Sequence, residues 1–119
     1  MQPTYIEPVI VNKTWGKEVW MVNNEKYCGK LLIFNKDNQF SLHYHIKKDE
    51  SWYILSGKLI FRWVNTNNGQ FKERILSKDD AIRIPPGLPH QLFAIEKSVI
   101  VETSTQHFEE DSHRIRCNL

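Results

Sequence analysis

The sequence predicts an all-β domain, a sandwich or a barrel. Short runs rich in Val, Ile, Phe, Tyr and Trp recur about every eight to twelve residues, a spacing typical of such folds. No window of helical length carries a 3.6-residue apolar period. Turn residues fall between the runs, at Asn23-Asn24, Lys36-Asp37-Asn38-Gln39 and Thr66-Asn67-Asn68-Gly69.

The elements follow in order. Residues 5–11 (YIEPVIV) form a short β-rich run broken by Pro8, which suits an edge strand because proline cannot donate to a ladder. Residues 15–22 and 27–35 follow. Then come 40–46, 51–55, 58–64, 71–76, 81–84, 90–95 and 98–103. The segment 66–69 reads as a hairpin loop with Gly69 free to take positive φ, and Glu96-Lys97 joins another pair. The polar stretch after Thr105 is expected to be a short helix or an arm.

With 119 residues the chain has the length of one domain with one core. Hydrophobic residues at 40% and charged residues at 25% are ordinary for a globular domain and argue against disorder. The formal net charge of +2, with scattered lysines and arginines, gives no basic stripe for nucleic acid. No apolar run is long enough to span a membrane as a helix. Cys28 and Cys117 read as free thiols. The first residues lack the basic start and apolar stretch of a secretory signal, so a cytoplasmic protein is expected.

Five histidines are present, and two of them stand as His43-Tyr44-His45. Strand residues i and i+2 face the same side, so His43 and His45 project together and Tyr44 faces away. Two adjacent imidazoles make a poor apolar core and a good pair of metal ligands. Glu50 follows a short polar link that turns the chain, bringing its carboxylate back toward the same point. His90 follows Pro85-Pro86-Gly87-Leu88-Pro89, a stiffened bend. Three imidazoles and one carboxylate suit one divalent transition metal. Zn, Mn, Fe, Co and Ni all fit, and the ligand set does not choose among them.

His43-Tyr44-His45, four residues, Glu50, six residues and Gly57 together resemble the first motif of the cupin superfamily, whose two histidines and glutamate bind metal. The segment from Pro85 to His90 resembles the second motif, whose histidine completes the site. The resemblance covers roughly residues 28–104. It implies a jelly-roll barrel (a double-stranded β-helix) forming one domain over 1–119, with N-terminal edge strands in 5–22 and a polar tail at 105–119. Asp37-Asn38 and Asp79-Asp80 stand where glycines usually open the motifs. Both residue types tolerate left-handed turns. Ala94 replaces an asparagine that often closes the second motif. The resemblance also implies a homodimer, and an unpaired early edge strand is a surface that a partner can cover.

A nearer resemblance is to the C-terminal isomerase domain of type II mannose-6-phosphate isomerases. It rests on Trp15-Gly16, the stretch from Ser41 to His45, that from Glu50 to Gly57, that from Ile84 to His90, and the ending VETSTQHFEEDSHRI. His43 departs from that family, which commonly has glutamine there. The guanylyltransferase domain that often precedes such a cupin has no counterpart in this sequence, so a stand-alone unit is expected. The implied function is isomerisation or epimerisation of a sugar or sugar phosphate, with the catalytic base unassigned. Two other readings stand beside it: a non-enzymatic sugar-binding module, and an Fe(II)-dependent dioxygenase. Lys47-Lys48 reads as a solvated turn, His107 and His113 as solvated tail residues, and Glu109-Glu110-Asp111 as a solvated face. Trp52, Phe61, Trp63 and Phe93 read as core. Arg83, flanked by Ile82 and Ile84, is expected to point away from the core.

Overall fold

A computed structural model describes residues 1–115. The strands are β1 Val9–Lys13, β2 Gly16–Asn23, β3 Cys28–Phe34, β4 His43–His45, β5 Glu50–Ser56, β6 Lys58–Asn65, β7 Gln70–Ser77, β8 Ala81–Ile84, β9 His90–Ala94, β10 Ser98–Ser104 and β11 Ser112–Arg114. One turn of 3-10 helix covers Glu109–Asp111. The strands form two sheets, ordered β1-β2-β3-β10-β5-β8 and β11-β4-β9-β6-β7. Every pairing is antiparallel. Two such sheets enclosing one core make the expected jelly roll. No helix among the described residues is long and apolar enough to cross a membrane.

Period-2 alternation decides what fills the barrel. Along β3, residues Cys28, Lys30, Leu32 and Phe34 point inward, and along β5, Glu50, Trp52 and Ile54 do. At one end the inward residues are apolar: Phe34, Ile54, Leu59, Leu92 and Ile100 are fully buried and belong to one cluster. Each such burial contributes roughly 1.5–3 kcal/mol, so this end of the barrel is stable through packing. Toward the other end the same alternation places Lys30 opposite Glu102 and Glu102 opposite Trp52. The barrel is therefore apolar at one end and polar at the other.

The turns follow the sequence closely. Asp37 and Asp79 adopt φ of 64° and 73°, so both take the left-handed conformation in place of glycine. Gly57, at φ 94°, has a second reason to be glycine: a Cβ there would run into Lys97 O and Ser98. Strand β1 begins only after Pro8, and it is an edge of its sheet. The tail differs from a helix or a free arm. After its single 3-10 turn it returns as β11 and pairs with β4, setting Ser112 opposite His45 and Arg114 opposite His43. Cys28 is buried and free, whereas Cys117 lies outside the described residues.

Candidate metal centre

Strand β4 presents His43 and His45, and β9 opens with His90, registered opposite His43. The proline-stiffened bend before His90 is tied to β4 by the Gly87 N–H, which donates to His45 O at 2.6 Å. Ring centroids lie 4.5 Å apart for His43 and His90, 5.0 Å for His43 and His45, and 5.9 Å for His45 and His90. One nitrogen of each ring falls within 4.8 Å of the other two.

The backbone selects which nitrogen that is. Nδ1 of His43 lies 2.7 Å from Ser41 O, Nδ1 of His45 3.1 Å from Asp111 O, and Nδ1 of His90 2.8 Å from Leu88 O. A carbonyl only accepts, so each Nδ1 carries the hydrogen and each Nε2 keeps its lone pair. Burial lowers the pKa of all three rings. That of His45 falls to about 4, with the Lys48 charge adding to the effect of burial, and His90 lies well below the ordinary value. Three neutral imidazoles, oriented by hydrogen bonds on the far nitrogen, form a typical histidine ligand set.

Glu50 opens β5 and is 3% exposed. Its Oε1 accepts from Trp52 Nε1 at 2.6 Å, while its buried Oε2 has no hydrogen-bond partner among the described residues. That oxygen lies 3.6 Å from His45 Nε2, so Glu50 stands beside the three-histidine cluster rather than within it. Burial, followed by the Glu102 charge, pushes its pKa up to about 8. With Glu50 protonated and His45 neutral, the 3.6 Å contact is not an ion pair. A buried carboxyl oxygen without a partner, beside a free imidazole lone pair, fits a divalent cation that would favour the ionised form.

These groups open into a cavity of about 470 Å³. Phe40 and Trp52 pack edge-on against His90 and form the apolar surround of the histidines. Charged groups line the cavity too, and Lys30, Lys48 and Glu102 among them are buried. Lys48 Nζ lies 2.7 Å from Glu102 Oε2, and Lys30 Nζ lies 3.3 Å from Glu18 Oε1 and over the Trp20 ring. Burial opposes the charge of Lys48 and of Glu102, but each stabilises the other. Glu102 stays below the usual carboxylate range and Lys48 above its own.

Several residues stand elsewhere than the sequence reading put them. Lys48 is 4% exposed and lines the cavity, because its ammonium finds Glu102 on β10. His107 also lines the cavity. Its ring packs edge-on against Trp20, and its main chain is held from both sides by the Asn23 amide. Asp111 is buried, whereas Glu110 is exposed. Trp52 belongs to the core and to the cavity wall at once. Two others stand where the sequence reading put them: Tyr44 faces away and stacks on His113, and Arg83 is exposed and paired with Asp49.

The family model described as Cupin matches residues 4–115. No curated protein matches the chain. Among solved structures, the capsular polysaccharide assembling protein CapF from Staphylococcus aureus superposes with a TM-score of 0.79 at 17% identity. It covers 95% of this chain and 35% of its own. Another CapF structure holds the inhibitor 3-isopropenyl-tropolone. Oxalate decarboxylase from Bacillus subtilis superposes with a TM-score of 0.81 at 18% identity over 92% of this chain and 30% of its own. A further structure of that enzyme concerns its Mn(II) centres. The chain thus spans about a third of the length of these proteins, and identities this low establish shared fold alone.

Proposed function

The chain belongs to the cupin family, and from that premise we propose that it is a metal-dependent isomerase or epimerase acting on a sugar or sugar phosphate. The observation that carries this reading is that two chemistries line one cavity. Three imidazole lone pairs and the Glu50 carboxyl gather in it, and ammonium and carboxylate groups line it beside them. A polyol offers hydroxyls that both donate and accept, which matches a lining where Lys48 pairs with Glu102 and Lys30 with Glu18. The resemblance of Glu50–Gly57 and Ile84–His90 to type II mannose-6-phosphate isomerases gives the substrate class.

In this proposal His43, His45, His90 and Glu50 hold one divalent transition metal, with Mn, Zn and Co the first to try and Fe and Ni next. Such an ion, when bound, supplies Lewis acidity toward substrate oxygens. The protein's own residues do the rest. Trp52 and Phe40 exclude water from the ligands. The Lys48–Glu102 pair, held charged by its two members, orients hydroxyls without itself being displaced. The same proposal treats residues 1–119 as one domain, paired into a homodimer through β1, where Val9 and Ile10 are exposed at an open sheet edge. The free thiol of Cys28 suits a reducing, cytoplasmic setting.

The test is a turnover screen of aldose and ketose phosphates, and of the free sugars, with chelated protein reloaded with Mn, Zn, Co, Fe or Ni. Interconversion under at least one metal is expected. Metal-loaded protein that turns over no sugar but binds one would replace the isomerase with a sugar-binding module. Oxygen consumption with iron would replace it with a dioxygenase.

A further inference from the structure

We infer that Asp111 is the positioning residue of the metal centre, holding two of the four ligands in place from the C-terminal arm. The inference rests on the proposed metal site and adds to it a residue outside the two motifs.

The link between His45, the last residue of β4, and Glu50, the first of β5, is four residues long. It must reverse the chain while keeping both ligands on the cavity side. Three consecutive backbone N–H groups in this link point at one carboxylate. Ile46 donates to Asp111 Oδ1 at 2.9 Å, Lys47 to both oxygens at 3.0 and 3.1 Å, and Lys48 to Oδ2 at 3.0 Å. Successive N–H groups converging on an anion form a nest, and hydrogen bonds to an ionised acceptor are the strong kind. The main-chain carbonyl of the same residue accepts from His45 Nδ1 at 3.1 Å and so leaves Nε2 as the free lone pair. Asp111 is itself fixed. It is 4% exposed, its N–H donates to Phe108 O at 3.0 Å, and the next residue is registered opposite His45 in the β11–β4 pair. One residue therefore sets the tautomer of His45 through its backbone and the path to Glu50 through its side chain.

Groups that orient a metal ligand typically alter metal affinity about 10–100-fold when changed. A residue that only braced a loop would alter stability and leave the affinity of the folded protein alone. Asp111→Asn separates the two, because it keeps one carbonyl acceptor and turns the other oxygen into a donor facing N–H groups. The experiment titrates Zn²⁺ into chelated wild type and Asp111→Asn against a chromophoric chelator, with Co²⁺ visible spectra on both. We expect the dissociation constant for Zn²⁺ to rise at least about tenfold and the Co²⁺ bands to shift, with far-ultraviolet circular dichroism unchanged.

If the variant does not fold, the wild type still decides the matter through linkage, which is reciprocal. Zn²⁺ must slow amide exchange at Ile46, Lys47 and Lys48 more than at Asn68 and Gly69 in the distant hairpin loop. Wild-type Zn²⁺ affinity in a folded Asp111→Asn protein, or equal slowing at the two sets of amides, overturns the inference and leaves the metal site standing. A wild type that binds no Zn²⁺ and no Co²⁺ overturns both.

Discussion

Replacing Glu50 by Gln should stabilise the metal-free protein and weaken the metal-bound one. In the absence of a cation, Glu50 is buried with one oxygen unpartnered, and its pKa is pushed from 4.5 up to about 8, by burial first and Glu102 second. Because the folded value lies above the unfolded one, the group's contribution to stability is full below pH 4.5. It is lost as the pH rises through 8. At about 1.4 kcal/mol per pH unit, the interval comes to on the order of 5 kcal/mol, and structural relaxation reduces it to several. Gln has nearly the same shape and does not ionise. Chelated wild type and Glu50→Gln, unfolded in urea at pH 5, 7 and 8.5, should therefore be similar in stability at pH 5. By pH 8.5 they should diverge by several kcal/mol in favour of the variant. With Mn²⁺ or Zn²⁺ present the order should reverse, since a neutral amide is a poorer ligand than a carboxylate. A wild-type-to-variant difference that stays constant from pH 5 to 8.5 would refute the buried, protonated Glu50.

Other expectations follow from the same geometry. Lys48→Met takes the paired cation from the buried Glu102 and should cost up to about 3–5 kcal/mol in urea unfolding, less whatever Lys30 and Ser104 still supply. Adding Glu102→Leu should recover most of that, and a double variant no better than the single would contradict the pairing. Exhaustive chelation should leave the far-ultraviolet spectrum intact, because the apolar end of the barrel does not involve the ligands. Re-addition of metal at a hundred times its dissociation constant should restore about 2.7 kcal/mol of stability, and loss of fold on chelation would show the ion to be structural. Gly57→Ala should destabilise the protein by more than the roughly 1 kcal/mol of an average point substitution. A melting temperature unchanged by that variant would contradict the close approach of Ser98. Light scattering at micromolar concentration should give twice the mass of one chain, and a monomeric mass would remove the proposed β1 interface.

The fold was legible because its determinants are local. Runs of branched and aromatic residues mark β3, β5 and β10 within seven-residue windows, and Asp37 and Asp79 carry their left-handed turns in their own chemistry. The cluster of His43, His45 and His90 was legible because the parity of one strand brings two of them together and a proline-rich bend brings the third. The rest of the cavity was not. Lys48 beside Lys47 looks like a solvated turn, and only Glu102 on a strand far along the chain makes its burial affordable. His107 and Asp111 sit in a polar tail whose strand β11 is three residues long, too short for alternation to register. The tail becomes structure by pairing with β4 and by receiving the amides of Ile46, Lys47 and Lys48. No window of the tail itself contains that information.

The central claim, that these histidines and Glu50 hold a metal, is tested most directly by elemental analysis. Wild type and the double variant His43→Ala, His45→Ala should be purified side by side, each confirmed folded, and their transition-metal content measured per chain. Close to one ion per chain is expected in the wild type and essentially none in the variant. Equal metal in the two proteins would contradict it.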